Sequence, residues 1–324
     1  MTSAGEVLYH LDEEVAGADQ RIRPYVRETP LEYSPGFSRN WGAEIYLKLE
    51  NTQVTGSFKV RGAVNRLLAT PISQRVLGVV AASTGNHGAA TAYAMAKLRI
   101  PGTVFVPKGA SPSKLGLIRA WGAEVKVHGN EPLEAELEAR RYAESKGLLY
   151  LSPYNDPYVI AGQGTIGAEL VRQLDRIDVV CIAVGGGGLA GGVAGYLKGL
   201  GRQVTVVGCS PENSKVMYES VKAGQLLDLP SEPTLSDGTA GGIEPNAITF
   251  PLCRALIDDW VLVSEVEIAE GIRLAIDEAH QLIEGAGAVA LAAARKTASR
   301  FPGGNIVVIL CGGNISAETL KSVL

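Results

Sequence analysis

The chain has 324 residues, of which 46% are hydrophobic and 20% charged, and 30 basic against 34 acidic side chains leave a formal charge of −4. That composition suits a globular protein with room for two domains and excludes extended disorder. There is no basic stripe, no apolar run of about 18 residues and no basic-then-apolar start, so neither nucleic acid, membrane spanning nor secretion is expected, and the expected location is the cytoplasm.

Thr55-Gly56-Ser57-Phe58-Lys59-Val60-Arg61-Gly62-Ala63 is a glycine-bearing turn leading into a helix whose apolar stripe is Phe58, Val64, Leu67 and Leu68. With Ser57 as the expected N-cap, Lys59 falls in the first turn, where the positive end of the helix dipole disfavours an ammonium. Holding a lysine of ordinary pKa about 10.4 half-neutral at pH 7 takes roughly 4 to 5 kcal/mol, and a helix terminus supplies about 0.3 to 1, so burial must provide the rest. A neutral amine in that place is suited to Schiff-base chemistry. The alternative is a solvated surface lysine.

Beyond it, β-branched runs at 78–82, 103–106, 124–127, 148–151, 179–184, 204–208, 260–263 and 305–310 read as strands alternating with helical patterns. Alternation of this kind predicts an α/β fold with parallel sheets. Ser111-Pro112 as N-cap and N1, Gly147 as a C-terminal stop and Ser264-Glu265-Val266-Glu267 as a capping box punctuate the helices. The four strands from 78 to 151 form a self-contained run. A small inserted domain is therefore expected at 76–151, with 1–75 and 152–324 making a large one and a cleft between them.

Three strand-to-loop junctions carry chemistry. Ser83-Thr84-Gly85-Asn86-His87-Gly88 opens a helix, whose first N–H groups bind anions such as a carboxylate; otherwise Asn86 is a cap and His87 a surface imidazole. Gly185-Gly186-Gly187-Gly188-Leu189-Ala190-Gly191-Gly192 lets backbone N–H groups reach a phosphate unobstructed. Gly186, Gly188 and Gly191 also satisfy G-x-G-x-x-G, but the next strand ends in Gly208-Cys209-Ser210 without the ribose-binding acid, which argues against a dinucleotide. Cys311-Gly312-Gly313-Asn314 turns at the carboxyl end of the last strand, where α/β proteins place ligands; alone it reads equally as a plain turn, and Cys311 as a small buried hydrophobe. Cys181, Cys209, Cys253 and Cys311 lack CxxC spacing and His10, His87, His128 and His280 lack HExxH, so neither disulfides nor zinc is expected.

Taken together these segments resemble the fold-type-II pyridoxal-phosphate enzymes, in the threonine and serine dehydratase and serine racemase group. The resemblance runs through Arg23-Pro24-Tyr25-Val26-Arg27-Glu28-Thr29-Pro30-Leu31, Lys48-Leu49-Glu50-Asn51-Thr52-Gln53, Ala161-Gly162-Gln163-Gly164-Thr165, Ser236-Asp237-Gly238 and Glu284-Gly285-Ala286-Gly287-Ala288. It implies two open, mostly parallel sheets flanked by helices in the manner of the tryptophan synthase β subunit, with the active site in the cleft, and pyridoxal 5'-phosphate as cofactor. It makes Lys59 the Schiff-base lysine, Phe58 the residue packed on the cofactor ring, Asn86 the partner of its 3-hydroxyl, and Gly185, Gly186, Gly187, Gly188 and Leu189 its phosphate loop. Cys311, followed by Gly312, faces the pyridine nitrogen; a neutral thiol there leaves a weaker electron sink than a carboxylate would, which suits elimination.

The resemblance also implies that Ser83, Thr84, Asn86 and His87 cradle a substrate carboxylate, with Tyr154 and Gly238 lining the pocket; Tyr154 reads equally as a packed hinge aromatic. The expected reaction converts a threonine- or serine-like β-hydroxy amino acid to a 2-oxo acid and ammonia, with Lys59 removing the α-proton. Thr84 leaves open a racemase for serine or hydroxyaspartate. A dehydratase for a hydroxyectoine-derived amino acid uses the same residues, and a non-catalytic metabolite-binding protein is the remote alternative. Serine and valine in Ser210-Pro211-Glu212-Asn213-Ser214-Lys215-Val216, where metal-binding relatives carry acids, argue against a divalent cation. A homodimer is the family expectation.

Overall fold

The computed structural model describes residues 10–110 and 112–324. Among the described residues, ten strands form two sheets. β1 (Leu31–Tyr33), β2 (Glu44–Lys48), β7 (Val179–Ala183), β8 (Thr205–Pro211), β9 (Asp259–Val263) and β10 (Asn305–Ile309) make a six-stranded sheet in the order β1-β2-β10-β7-β8-β9, parallel except for the β1–β2 edge. β3 (Val79–Ala82), β4 (Gly102–Val106), β5 (Glu124–Val127) and β6 (Leu149–Tyr150) make an all-parallel sheet in the order β5-β4-β3-β6. The chain thus enters the large sheet, leaves it to build the whole of the small one, and returns. Around the small sheet, the core takes in Val60, Ala63, Val64 and Leu67 of the helix Lys59–Ala69 and Val159, so that helix packs at the junction of the two layers.

The eight expected strands all form, most with ends shifted by a residue or so. β8 runs on to Pro211 because Ser210 and Pro211 still pair with Leu262 and Val263 after pairing with β7 has ended at Cys209; Pro211 takes the strand's last position. Two strands were not expected. β1 has three residues, and β2 ends in Lys48, a charged side chain that is fully buried and breaks the apolar pattern.

Lys48 belongs to an ionic cluster beneath the cleft. Its Nζ lies 2.6 Å from Glu169 Oε2, and the Arg61 guanidinium forks between Glu50 (2.7 Å) and Glu169 (2.7 Å), all four side chains being essentially inaccessible to water. Buried charges persist only where every one is paired, and here the pairing holds down the first turn of the helix that begins at Lys59.

The helix does not start as expected. Phe58, not Ser57, occupies the cap position, with helical φ −58° and ψ −22°, and no side chain caps it. Ser57 is instead held in an isolated β-bridge with Gly312, and its buried Oγ has no hydrogen-bond partner. The capping box at Ser264 and Glu267 and the left-handed stop at Gly147 (φ 63°) do form. Ser111 lies outside the described residues, and the helix that follows it is Pro112–Ala120.

Candidate active site

A cavity of about 440 Å³ opens between the carboxyl ends of the two sheets. It brings together, from segments far apart in sequence, Phe58 and Lys59, the loop after β3 with Ser83, Thr84, Asn86 and His87, the loop after β7 with Gly185, Gly186, Gly187, Gly188 and Leu189, Gly238, and Cys311 after β10. Tyr154 and Gly312 stand one layer behind. The wall beside Tyr154 is Pro153, while the Tyr154 ring backs the glycine loop; Gly312 packs against Glu284.

Lys59 Nζ donates to the Pro153 carbonyl at 3.1 Å and lies 5.1 Å from the Phe58 ring centroid. Burial lowers its pKa to about 8, with the Glu284 carboxylate pulling the other way. Desolvation therefore supplies what the helix terminus alone does not. Cys311 is held close by: the Phe58 N–H donates to its carbonyl at 3.1 Å, and the Gly313 N–H donates to the Gly56 carbonyl at 2.9 Å. Burial and the neighbouring Glu284 push the Cys311 thiol far up, so it stays neutral.

The loop after β7 admits only glycine. A Cβ on Gly185 would come within 2.8 Å of the Thr239 carbonyl oxygen, one on Gly186 within 2.4 Å of the Tyr154 ring, and one on Gly187, which has φ +83°, within 2.6 Å of Cys253 Sγ. The helix Gly188–Gly199 starts there and points its dipole into the loop. A bare backbone at a helix N-terminus is an anion cradle.

Across the cavity, the helix Asn86–Leu98 makes its first i→i−4 bond from the Ala89 N–H to Gly85, so the N–H groups of Asn86, His87 and Gly88 precede its ladder. Ser83 Oγ accepts from the Gly85 N–H at 3.1 Å and shapes the turn. The His87 ring is already engaged with the backbone. Its Nε2 lies 2.9 Å from the Leu151 carbonyl, which requires the proton on that nitrogen, and burial together with Lys59 lowers its pKa to about 3. A neutral ring committed to a backbone carbonyl leaves His87 only its own N–H to offer an anion.

Three further residues were not singled out from sequence. Glu284 Oε1 accepts from Asn86 Nδ2 at 2.6 Å, Asn314 Nδ2 donates to Asn86 Oδ1 at 2.7 Å, and Pro153 holds Lys59. An acid before a Gly-Ala-Gly helix start, an asparagine after Gly-Gly and a proline before an aromatic are ordinary locally, and only the cleft joins them. Among the described residues, no three His, Cys, Asp or Glu side chains converge as a metal site, and no helix is long and apolar enough to cross a membrane.

A lysine of lowered pKa, a glycine anion cradle and a neutral thiol, set around one cavity between two parallel sheets, define a fold-type-II enzyme that works through an aldehyde-bearing phosphate cofactor. Residues 22–312 match the family described as pyridoxal-phosphate dependent enzyme, and the chain belongs to that family. It is 39% identical to the L-threonine ammonia-lyase of Thermotoga maritima over 312 residues, 96% of this chain and 77% of that protein. The processed form of threonine deaminase isoform 2 from Solanum lycopersicum superposes with a TM-score of 0.93 at 34% identity, over 98% of this chain and 92% of that one. Maize serine racemase superposes with a TM-score of 0.91 at 31% identity, over 96% and 95%. The protein is a pyridoxal-phosphate-dependent lyase, and its residues fit that cofactor: a glycine loop free of side chains at a helix N-terminus suits a phosphate, and Lys59 and Cys311 line the same cavity.

Proposed function

We propose that the protein is an L-threonine ammonia-lyase, releasing 2-oxobutanoate and ammonia from L-threonine. The observation that carries this reading is one cavity lined by Lys59, by the glycine loop and by Asn86 and His87, whose N–H groups precede the hydrogen-bond ladder of their helix. In the proposed division of labour, 1–75 and 152–324 hold the cofactor and 76–151 holds the substrate carboxylate. Pyridoxal phosphate, when bound, supplies a sink for the electron pair left on the substrate α-carbon.

The chain's own residues do the rest. Gly185, Gly186, Gly187 and Gly188 anchor the phosphate through backbone N–H groups. Phe58 would pack on the ring, and Cys311, a neutral thiol, would serve its nitrogen without holding a proton on it as a carboxylate would. Once substrate occupies the site, the Lys59 amine takes the α-proton, for which a pKa near 8 keeps it a competent base around neutral pH. The β-hydroxyl then leaves as water, taking up the proton that Lys59 has gained, and the released enamine tautomerises to an imine that a second water hydrolyses to ammonia and the 2-oxo acid. The four cysteines are buried and unpaired, which fits the cytoplasmic setting we propose. A homodimer is the assembly to test, by light scattering.

The deciding experiment compares wild type with Lys59→Ala. Wild type is expected to absorb in the visible as a lysine-bound cofactor and to release 2-oxo acid from L-threonine ahead of L-serine, hydroxyaspartate, phenylserine and hydroxyectoine-derived amino acids; the variant does neither. Release from another member of the panel with none from L-threonine would overturn the substrate. A racemase reading is favoured by Thr84 on the cavity wall and by the likeness to maize serine racemase. Chiral analysis showing D-serine in excess of 2-oxo acid would replace the lyase reading with it.

A further inference from the structure

The turn at 152–155 carries two parts of the site: the Pro153 carbonyl that holds Lys59 Nζ, and the Tyr154 ring that backs Gly186. One carboxylate grips this turn from the far side. Glu244 Oε2 accepts from Asn155 Nδ2 at 3.1 Å, its Oε1 accepts from Ser152 Oγ at 3.4 Å, and its backbone N–H donates to the Tyr154 hydroxyl at 2.8 Å. Asn155 Oδ1 accepts in turn from the Ile248 N–H at 2.9 Å, which ties the segment after Glu244 to the same turn.

Glu244 Oε1 also meets Arg140 Nη2 at 2.8 Å. Arg140 lies on the helix Pro132–Lys146 of the small-sheet layer, whose first turn reaches the cavity through Pro132, Ala135 and Glu136. Its guanidinium is oriented by Glu136 at 2.9 Å and lies 4.2 Å from the Tyr150 ring centroid. A lone half-exposed ion pair contributes little. This one differs because both carboxylate oxygens and the backbone N–H of Glu244 act on the turn that touches Lys59.

We propose that Glu244 is a positioning residue: with Arg140 it fixes the 152–155 turn and, through the Pro153 carbonyl, the place of the Lys59 amine. The proposal rests on the reading of Lys59 as the proton-transferring base. It gives a role to a junction residue that does not line the cavity.

The test uses the full-length protein in two measurements. In the holoenzyme, Glu244→Ala is expected to lower kcat for L-threonine about 10- to 100-fold, the effect of a small misplacement of a reacting group, with KM changed far less. Glu244→Gln keeps one acceptor oxygen, which can serve Asn155, and its amide N–H can donate to Ser152 Oγ, but it loses the charge facing Arg140, so it should match Arg140→Gln, both milder than Glu244→Ala. The double variant Glu244→Ala with Arg140→Gln should be no worse than Glu244→Ala alone, and Arg140→Lys should recover part of the loss.

In the cofactor-free protein, competitive acylation read by mass spectrometry reports the Lys59 pKa. Losing the Pro153 acceptor removes a hydrogen bond that favours the ammonium, so Glu244→Ala should shift the Lys59 pKa below that of the wild type, while surface lysines serve as unmoved references. An unmoved Lys59 pKa, a kcat within about twofold of wild type, or losses that multiply independently in the double variant would each overturn the proposal. A wild type inactive on L-threonine would overturn the functional reading instead, and the acylation measurement would still decide the positioning role.

Discussion

Asn86 donates through Nδ2 to Glu284 Oε1 at 2.6 Å, joining the loop after β3 of the small sheet to the start of a helix that packs on the large one. Asn314 completes a triangle, donating from Nδ2 to Asn86 Oδ1 at 2.7 Å and from its backbone N–H to Glu284 Oε2 at 3.1 Å. The triangle fixes which way the Asn86 amide faces. Nδ2 carries two protons and Glu284 takes one, so the other is available to an oxygen in the cavity, which is how an amide can hold the cofactor's 3-oxygen.

Removing the acceptor should therefore matter more than removing its charge. Glu284→Ala frees the Asn86 amide to rotate and is expected to cost about 10- to 100-fold in kcat/KM, the range seen when a group that orients a site residue is lost. Glu284→Gln keeps an acceptor and should cost much less. Because the Glu284 charge raises the Lys59 pKa, both variants should move the acid limb of the kcat–pH profile to lower pH. Steady-state kinetics across pH checks both statements together.

Lys59 itself makes stability depend on pH. Its folded pKa of about 8 lies below the ordinary value of 10.5, so between those values the unfolded chain binds more protons and the cofactor-free protein gains stability as pH rises. Below about pH 8 both states are protonated and the cost of burying the ammonium is fully present. Lys59→Met is accordingly expected to raise the melting temperature of the cofactor-free protein at pH 7, and the gain should vanish above about pH 10.5. A gain that persists at high pH would point to packing of the methionine rather than to relief of a buried charge.

What the sequence made legible was local. Strand, glycine loop and helix start recur at 179–199, and strand, loop and helix start at 79–98, so both strand-to-helix turns could be read without knowing what they face. The need for burial around Lys59 followed from the size of the shift required. Glu284, 198 residues from Asn86, and Pro153, 94 from Lys59, were not legible, because nothing in their own neighbourhood signals the contact. Ser57 misled for the opposite reason. Its local pattern is that of a cap, but the bridge to Gly312 claims its backbone.

The glycine loop should tolerate no side chain. Gly187→Ala combines a backbone at φ +83° with a Cβ 2.6 Å from Cys253 Sγ, and strain and overpacking each cost about 1 to 3 kcal/mol. We expect weaker cofactor binding, measured by titrating the visible absorbance. Gly186→Ala meets instead the Tyr154 ring at 2.4 Å, so pairing it with Tyr154→Ala should recover cofactor affinity, whereas Cys253→Ala should recover Gly187→Ala only in part, since the backbone strain remains.

Arg61 sets the position of Lys59 from below, two residues along the same helix. Its guanidinium is the shared partner of Glu50 and Glu169, and no solvent reaches any of the three. Burial pushes the Glu169 carboxyl up, but Arg61 and Lys48 outweigh it and hold it below the ordinary carboxylate range. A carboxylate with a depressed folded pKa stabilises the protein above its unfolded pKa of about 4.3 and loses that contribution as pH falls through the folded value. Arg61→Met leaves two carboxylates facing each other with only Lys48 to answer them, and breaking such a buried pair costs about 3 to 5 kcal/mol. Arg61→Lys should recover little, because an ammonium is one point charge where the fork served two acids. Urea unfolding at pH 7 should show the loss. It should shrink as pH falls and Glu169 takes up a proton, since a neutral carboxyl needs no cation beside it, and a loss that stayed constant down to acid pH would mean that packing, not charge, makes Arg61 necessary.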